Sequence, residues 1–220
     1  MNPAKRKTIK AVLNKKIKQW TDTLPEELAK EVKKNIVVTG GCIVSLLRGE
    51  KVNDYDVYFD NIETAKRVAK HYIEKFNQRD VQIKIEDEVN IKGESETRLL
   101  LNVSSRGVAG ENPDEVNEAD DYLPDEAEEE PAREPYEPVF ISRNAITLRN
   151  GIQIITRFYG TPDQIHRYFD FVHATNYLYK NELVLRPEAM EHILSNTLIY
   201  RGSLYPIASI FRAHKFIKRG

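Results

Sequence analysis

A chain of 220 residues with 40% apolar side chains can bury the core of one domain, with room for a small helical annex. No apolar run approaches the roughly 18 residues of a membrane span, and no apolar signal region follows the basic start MNPAKRKTIK; a soluble protein is expected. One cysteine, Cys42, excludes an internal disulfide framework and all-cysteine zinc sites, and points to a reducing, cytoplasmic setting. The net charge of −1 conceals a segregation: residues 111–137 hold thirteen of the 34 acidic side chains and one of the 33 basic ones, so the rest of the chain carries +11. Such a body suits an anionic partner such as a nucleic acid, or is a lysine-rich solvated surface.

In chain order, Ile9, Val12, Leu13, Ile17 and Trp20 recur at helical spacing and predict a helix over 8–20. Pro25 opens a second helix to about Lys34, since proline is tolerated in a first turn. NIVVTGG reads as a short strand ending in a double glycine, and CIVSLLRG as a helix that Gly49 stops. DYDVYF alternates and is a strand; Ala65, Val68, Ala69, Tyr72, Ile73 and Phe76 mark a helix; VQIKIE and RLLLNVSS are strands. Residues 107–138 mix proline, glycine and like charge with few apolar residues, which predicts disorder. VFISRNAITL and IQIITRF form strands around an Asn150–Gly151 hairpin turn. A short helix is expected over 162–168, then FDFVHATNYLY and ELVL as a hairpin pair, then helical chain from Pro187 to Gly220 with a break near Gly202–Pro206. The expectation is an α+β fold, a mixed sheet with flanking helices and a C-terminal helical segment, divided as 1–34, 35–185 and 186–220.

The chemistry concentrates in residues 40–56. Asp54 and Asp56 stand at i and i+2 on a strand, so their carboxylates share a face and can hold hard cations such as magnesium. Gly40 and Gly41 join a strand to a helix, where backbone N–H groups and the helix dipole favour phosphate. The stretch from Gly40-Gly41 through Leu46, Leu47 and Gly49 to Asp54-Tyr-Asp56 resembles the signature of the DNA polymerase β-like nucleotidyltransferase superfamily. The run GGxVRDLLLGxxxxDxD of CCA-adding enzyme and bacterial poly(A) polymerase heads lies over it without a gap, with Val44 and Ser45 in place of the family's Arg-Asp pair.

That resemblance implies transfer of NMP from an NTP to an acceptor hydroxyl, an RNA 3′ end above all, with two magnesium (or manganese) ions on Asp54 and Asp56. Gly40, Gly41 and Ser45 would hold the triphosphate. A third carboxylate is then required. The family's position falls on Asn102, a poor ligand, so Asp170 in FDFVHATNYLY is the candidate, its alternatives being a cap or an ion pair with a nearby arginine. RAHKFIKRG resembles the family's arginine-rich helix at Arg212, Ala213, Lys215 and Phe216, and helical spacing sets Arg212, Lys215 and Arg219 on one face, so Arg212, Lys215, Lys218 and Arg219 are expected to contact nucleic-acid phosphates. The rival readings are modification of a protein or small molecule, and a catalytically inactive nucleic-acid-binding module.

Overall fold

The computed structural model describes residues 6–77, 83–91, 94–103, 134–142, 144–203 and 206–219. The expected disordered insertion lies outside the described residues apart from 134–138. Helices α1 (Arg6–Thr21) and α2 (Glu26–Asn35) lead into β1 (Ile36–Thr39), α3 (Gly41–Arg48), β2 (Tyr55–Phe59) and α4 (Ile62–Asn77). A hairpin of β3 (Ile83–Ile91) and β4 (Glu94–Val103) stands as a sheet of its own. Then come β5 (Pro138–Ile141), β6 (Ala145–Leu148), β7 (Ile152–Ile155), α5 (Pro162–His166), β8 (Tyr177–Tyr179), β9 (Glu182–Val184), α6 (Pro187–Leu194) and α7 (Pro206–Arg219).

Seven strands form one mixed sheet in the order β5-β6-β7-β2-β1-β8-β9, in which β2 and β7 are the parallel pair and the other neighbours are antiparallel. This is the expected α+β class. Strand alternation divides the sheet's residues between two faces. Ile36, Val38, Val57, Phe59, Ile146, Leu148, Ile152, Ile154 and Leu178 enter the main core with α1 to α4. Val37 and Tyr58 point the other way, into a small cluster with Ile165, edged by Ile155, Phe158, Phe169 and Tyr179. Because Asp56 alternates with Val57 and shares the parity of Tyr58, it belongs to this second face.

The N-terminal helices are part of the main core rather than an appendage. Ile9, Leu13 and Trp20 are fully enclosed within it, and Trp20 Nε1 donates to Tyr72 Oη of α4 at 2.7 Å. The last third of the chain differs from expectation in two places: residues 195–203, expected as helical up to a break near Gly202, are not helix, and the stretch before β8 is not a strand. Phe169–Thr175 is not strand: Phe171 makes an isolated bridge to Tyr200, and Val172–Ala174 is a 3-10 turn. Only Tyr177–Tyr179 pairs with Glu182–Val184 as the expected hairpin. Asn102 pairs with Lys84 on the separate hairpin, away from the strand that carries Asp56. Among the described residues no helix is long and apolar enough to cross a membrane.

Replacing Trp20 by Ala should cost about 3–5 kcal/mol, because a large side chain leaves a cavity. Tyr72→Phe should cost about 1–3 kcal/mol, because it strands the buried indole N–H. Urea unfolding of both variants measures the difference; equal, small losses would mean that α1 is only loosely docked.

Candidate functional site

The site grows from the corner between β1 and α3. β1 is short and wholly buried, and it ends at Thr39. Gly40 then turns the chain with φ +89 and ψ −150, a conformation that side-chain-bearing residues avoid, and Gly41 begins α3. A Cβ on Gly40 would stand 2.8 Å from Asp56 Oδ2, whereas one on Gly41 would meet nothing within 4 Å. The first glycine therefore lets the Asp56 carboxylate close on the corner. The second leaves open space at the helix N-terminus, where unpaired N–H groups and the dipole favour anions.

Asp54, expected on the strand with Asp56, lies one residue before β2; it is partly exposed, as is Asp56. Its approach is set by the β6–β7 hairpin. Asn150 and Gly151 both have positive φ, 67° and 72°, as a type I′ turn requires. The Gly151 carbonyl accepts from Tyr55 N at 2.8 Å, and a Cβ at Gly151 would stand 2.6 Å from the Asn53 carbonyl oxygen. Both carboxylates reach Cys42 electrostatically: burial above all, then Asp56 and Asp54, push its thiol well above the usual range. Cys42 is therefore a protonated core residue, its Sγ donating to the Thr39 carbonyl at 3.6 Å.

The corner is braced from below. Gly40 N donates to the Ala174 carbonyl at 3.2 Å. Thr39 Oγ1 lies 2.8 Å from both the Asn176 carbonyl oxygen and His166 Nε2. A hydroxyl has one proton to give, so donation to the carbonyl makes His166 Nε2 the donor to Thr39. His166 Nδ1 is then a bare acceptor, buried with no hydrogen-bond partner among the described residues. Burial, with Arg186 and Arg201 adding, pushes this histidine down to about 3, so it is neutral at pH 7. It was not singled out from the sequence, because only the fold brings residue 166 to residue 39.

Other expected site residues fall elsewhere. Asp170 is not on a strand. It sits in a bend before the 3-10 turn, 7% exposed, and its Oδ2 accepts from Arg212 Nη1 of α7 at 2.8 Å. Among the described residues no three His, Cys, Asp or Glu side chains gather as for a metal ion, so Asp170 does not complete a triad with Asp54 and Asp56. Its burial is explained by the arginine. Arg212 is correspondingly committed to an ion pair within the protein. Ser45 is 5% exposed within α3, too enclosed to meet a nucleotide. Lys215 and Lys218 are exposed on α7. The residue in register with Asp56 on the neighbouring parallel strand is Gln153, which by alternation lies on the same face. Sequence reading missed it, since nothing in IQII announces which strand β7 will join.

A model of the Gabija anti-defense 2 family matches residues 11–196, which takes in the corner and the whole seven-stranded sheet but not α7. The chain belongs to that family. No curated protein and no solved structure matches it. The family assignment replaces the resemblance to polymerase β-like nucleotidyltransferases and to CCA-adding and poly(A) polymerase heads. Those seventeen residues form the glycine corner, α3 and the start of β2. The Gabija anti-defense 2 match, by contrast, runs through the sheet, its covering helices and the α5 region.

Two outcomes follow from the corner. Gly40→Ala should cost about 1–3 kcal/mol through strain and the clash with Asp56, whereas Gly41→Ala should be neutral or stabilise by about 0.5–1 kcal/mol at the helix start; chemical denaturation separates the two signs. For His166, the folded value of about 3 lies below the ordinary 6.5. Its contribution is thus full above about pH 6.5 and lost as pH falls from there toward about 3, because the unfolded chain takes up a proton that the folded one refuses. Melting temperatures measured between those pH values should fall more steeply for the wild type than for His166→Gln; parallel curves would refute the neutral buried histidine.

Proposed function

We propose that this protein counters Gabija defence as a divalent-cation-dependent nucleotidyltransferase, which takes an NTP and passes the NMP to a hydroxyl of a macromolecular acceptor. The observation that carries the reading is the close approach of Gly40 to the Asp56 carboxylate at the N-terminus of α3, with Asp54 beside it. Phosphate acceptance and cation retention would then share one corner.

The donor chemistry fits magnesium or manganese. Two carboxylates two residues apart suit an ion that keeps several waters and shares phosphate oxygens with its substrate. Bound there, the cation would neutralise the triphosphate and lower the pKa of the attacking hydroxyl. The residues of the chain supply the rest. Backbone N–H groups of Gly41 and the first turn of α3 would face the phosphates, and Asp54 and Asp56 would orient the reacting end. The acceptor oxygen forms a bond to the α-phosphorus, the bond from that phosphorus to the bridging oxygen breaks, pyrophosphate leaves and the hydroxyl proton passes to solvent. The basic body makes an RNA 3′ end the first acceptor to test, and the family name adds the Gabija proteins themselves.

A second reading, an inactive binder that retains the corner, is favoured by one observation: the residue in register beside Asp56 is the neutral Gln153. Incubation with each labelled NTP, magnesium or manganese, and either pooled RNA or Gabija proteins decides between them. Transfer of label supports the enzyme; none with any acceptor sinks it.

Asp54→Ala and Asp56→Ala should each lower transfer by about a hundredfold or more, because each removes a fixed charge that organises the cation. Without metal, Asp54→Ala should leave the melting temperature nearly unchanged, because Asp54 is partly exposed and precedes β2, and Asp56→Ala should lower it slightly, because it removes a carboxylate from the positive end of α3. Wild-type turnover in both variants would refute the site.

A further inference from the structure

α7 is amphipathic in an unusual sense: its inward face is polar and aromatic, and its outward face is apolar. Ser209, Arg212 and Phe216 lie within one side of the helix by three- and four-residue spacing. They hold α7 to the body. Ser209 is buried, Arg212 donates to Asp170, and the Phe216 ring meets Phe171 at 5.6 Å and His173 at 4.4 Å, edge to face. The opposite side presents Ile207, Ile210, Phe211 and Ile217, exposed by 61%, 68%, 51% and 72%. Their spacing of three, one and six residues keeps them on one stripe, and His214 and Lys218 continue it.

A helix fixed by one face and leaving such a stripe in water incurs a hydrophobic cost that a bound partner would remove. The charge says what kind of partner. α7 carries Arg212, His214, Lys215, Lys218 and Arg219 and no acidic residue. The α7 of a second copy would set like charges against each other. Lys218 falls within the apolar stripe, seven residues from Phe211, so the complementary surface must be apolar at one end and carry carboxylates at the other. That is the signature of a protein groove receiving a helix, with anchors at i, i+3, i+4 and i+10.

We infer that the outer face of α7 docks the chain on a protein whose apolar groove is rimmed by carboxylates, and that this protein belongs to the Gabija system. The inference rests on the proposed role against Gabija defence and adds to it the surface by which the target is held.

The test uses the full chain, the purified Gabija proteins as probe, and the double variant Ile210→Glu/Ile217→Glu, whose changes lie at exposed positions. Circular dichroism should show the variant folded. The wild type should bind, with an affinity that falls as salt rises, and the variant should bind at least about tenfold more weakly. Lys218→Glu should remove much of the salt dependence while sparing the fold. Absence of wild-type binding, or equal binding by the double variant, overturns the inference. So does a variant-sensitive attachment to phosphatidylglycerol vesicles without binding to Gabija proteins, which makes the face a membrane contact. A wild-type dimer that the variant dissolves, again without binding to Gabija proteins, makes it a self-interface. Relief of defence in cells carrying Gabija separates the two levels. If the wild type relieves defence but binds no Gabija protein, docking alone fails. If Asp56→Asn relieves it as well as the wild type, the enzymatic reading fails and docking stands on its binding data.

Discussion

The contact between Gly40 and the Asp56 carboxylate is the constraint on which the candidate site depends. It ties a buried four-residue strand, the start of a helix and the first residues of the next strand into one corner. Only glycine can occupy it, for two reasons that reinforce each other: the backbone is left-handed, and the space for a side chain is already filled by the carboxylate oxygen. The result places a negative side chain at the positive end of α3. Without a bound cation this arrangement already has a favourable dipole term, and it leaves the Gly41 side open.

The sheet around the corner is asymmetric, and the asymmetry is what exposes the site. One face is sealed by α1 to α4 and a continuous apolar core. Among the described residues the other carries only a small cluster, Val37, Tyr58 and Ile165 edged by Ile155, Phe158, Phe169 and Tyr179. Asp56 and Gln153 belong to the second face by strand parity, so the polar centre of the sheet lies on the side of that smaller cluster. His166 and Thr39 sit at the boundary. Their buried hydrogen bond braces the corner from the region of α5, and a neutral imidazole suits that position because an imidazolium there would face Arg186 and Arg201.

Asp170 illustrates how one side chain serves a different element from the one its neighbours suggest. A buried carboxylate calls for a compensating charge. The sequence left it a metal, a cap or an arginine, and the arginine at position 212 is what the fold supplies. The ion pair moves the importance of Asp170 from the glycine corner to the seating of α7. It also fixes which side of α7 remains in water, and so turns Ile207, Ile210, Phe211 and Ile217 outward together.

Local chemistry made much of this protein legible in its sequence. Helical periodicity from Ile9 to Trp20, Pro25 before the second helix, Gly49 as a left-handed helix stop and Asn150–Gly151 as a hairpin turn act within a few residues, and the structure has each of them. The glycine corner and the paired aspartates were visible for the same reason, as neighbours along the chain. Family membership was not: a seventeen-residue motif carried too little of the chain to choose between families. Nor could the sequence say that β7 would join β2 in parallel and set Gln153 beside Asp56, that His166 would meet Thr39 across 127 positions, or that Arg212 would claim Asp170 across 42. Pairings over such separations are decided by which apolar faces bury together and by which buried charges find partners, and those energies exist only once the whole sheet and its covering helices have closed.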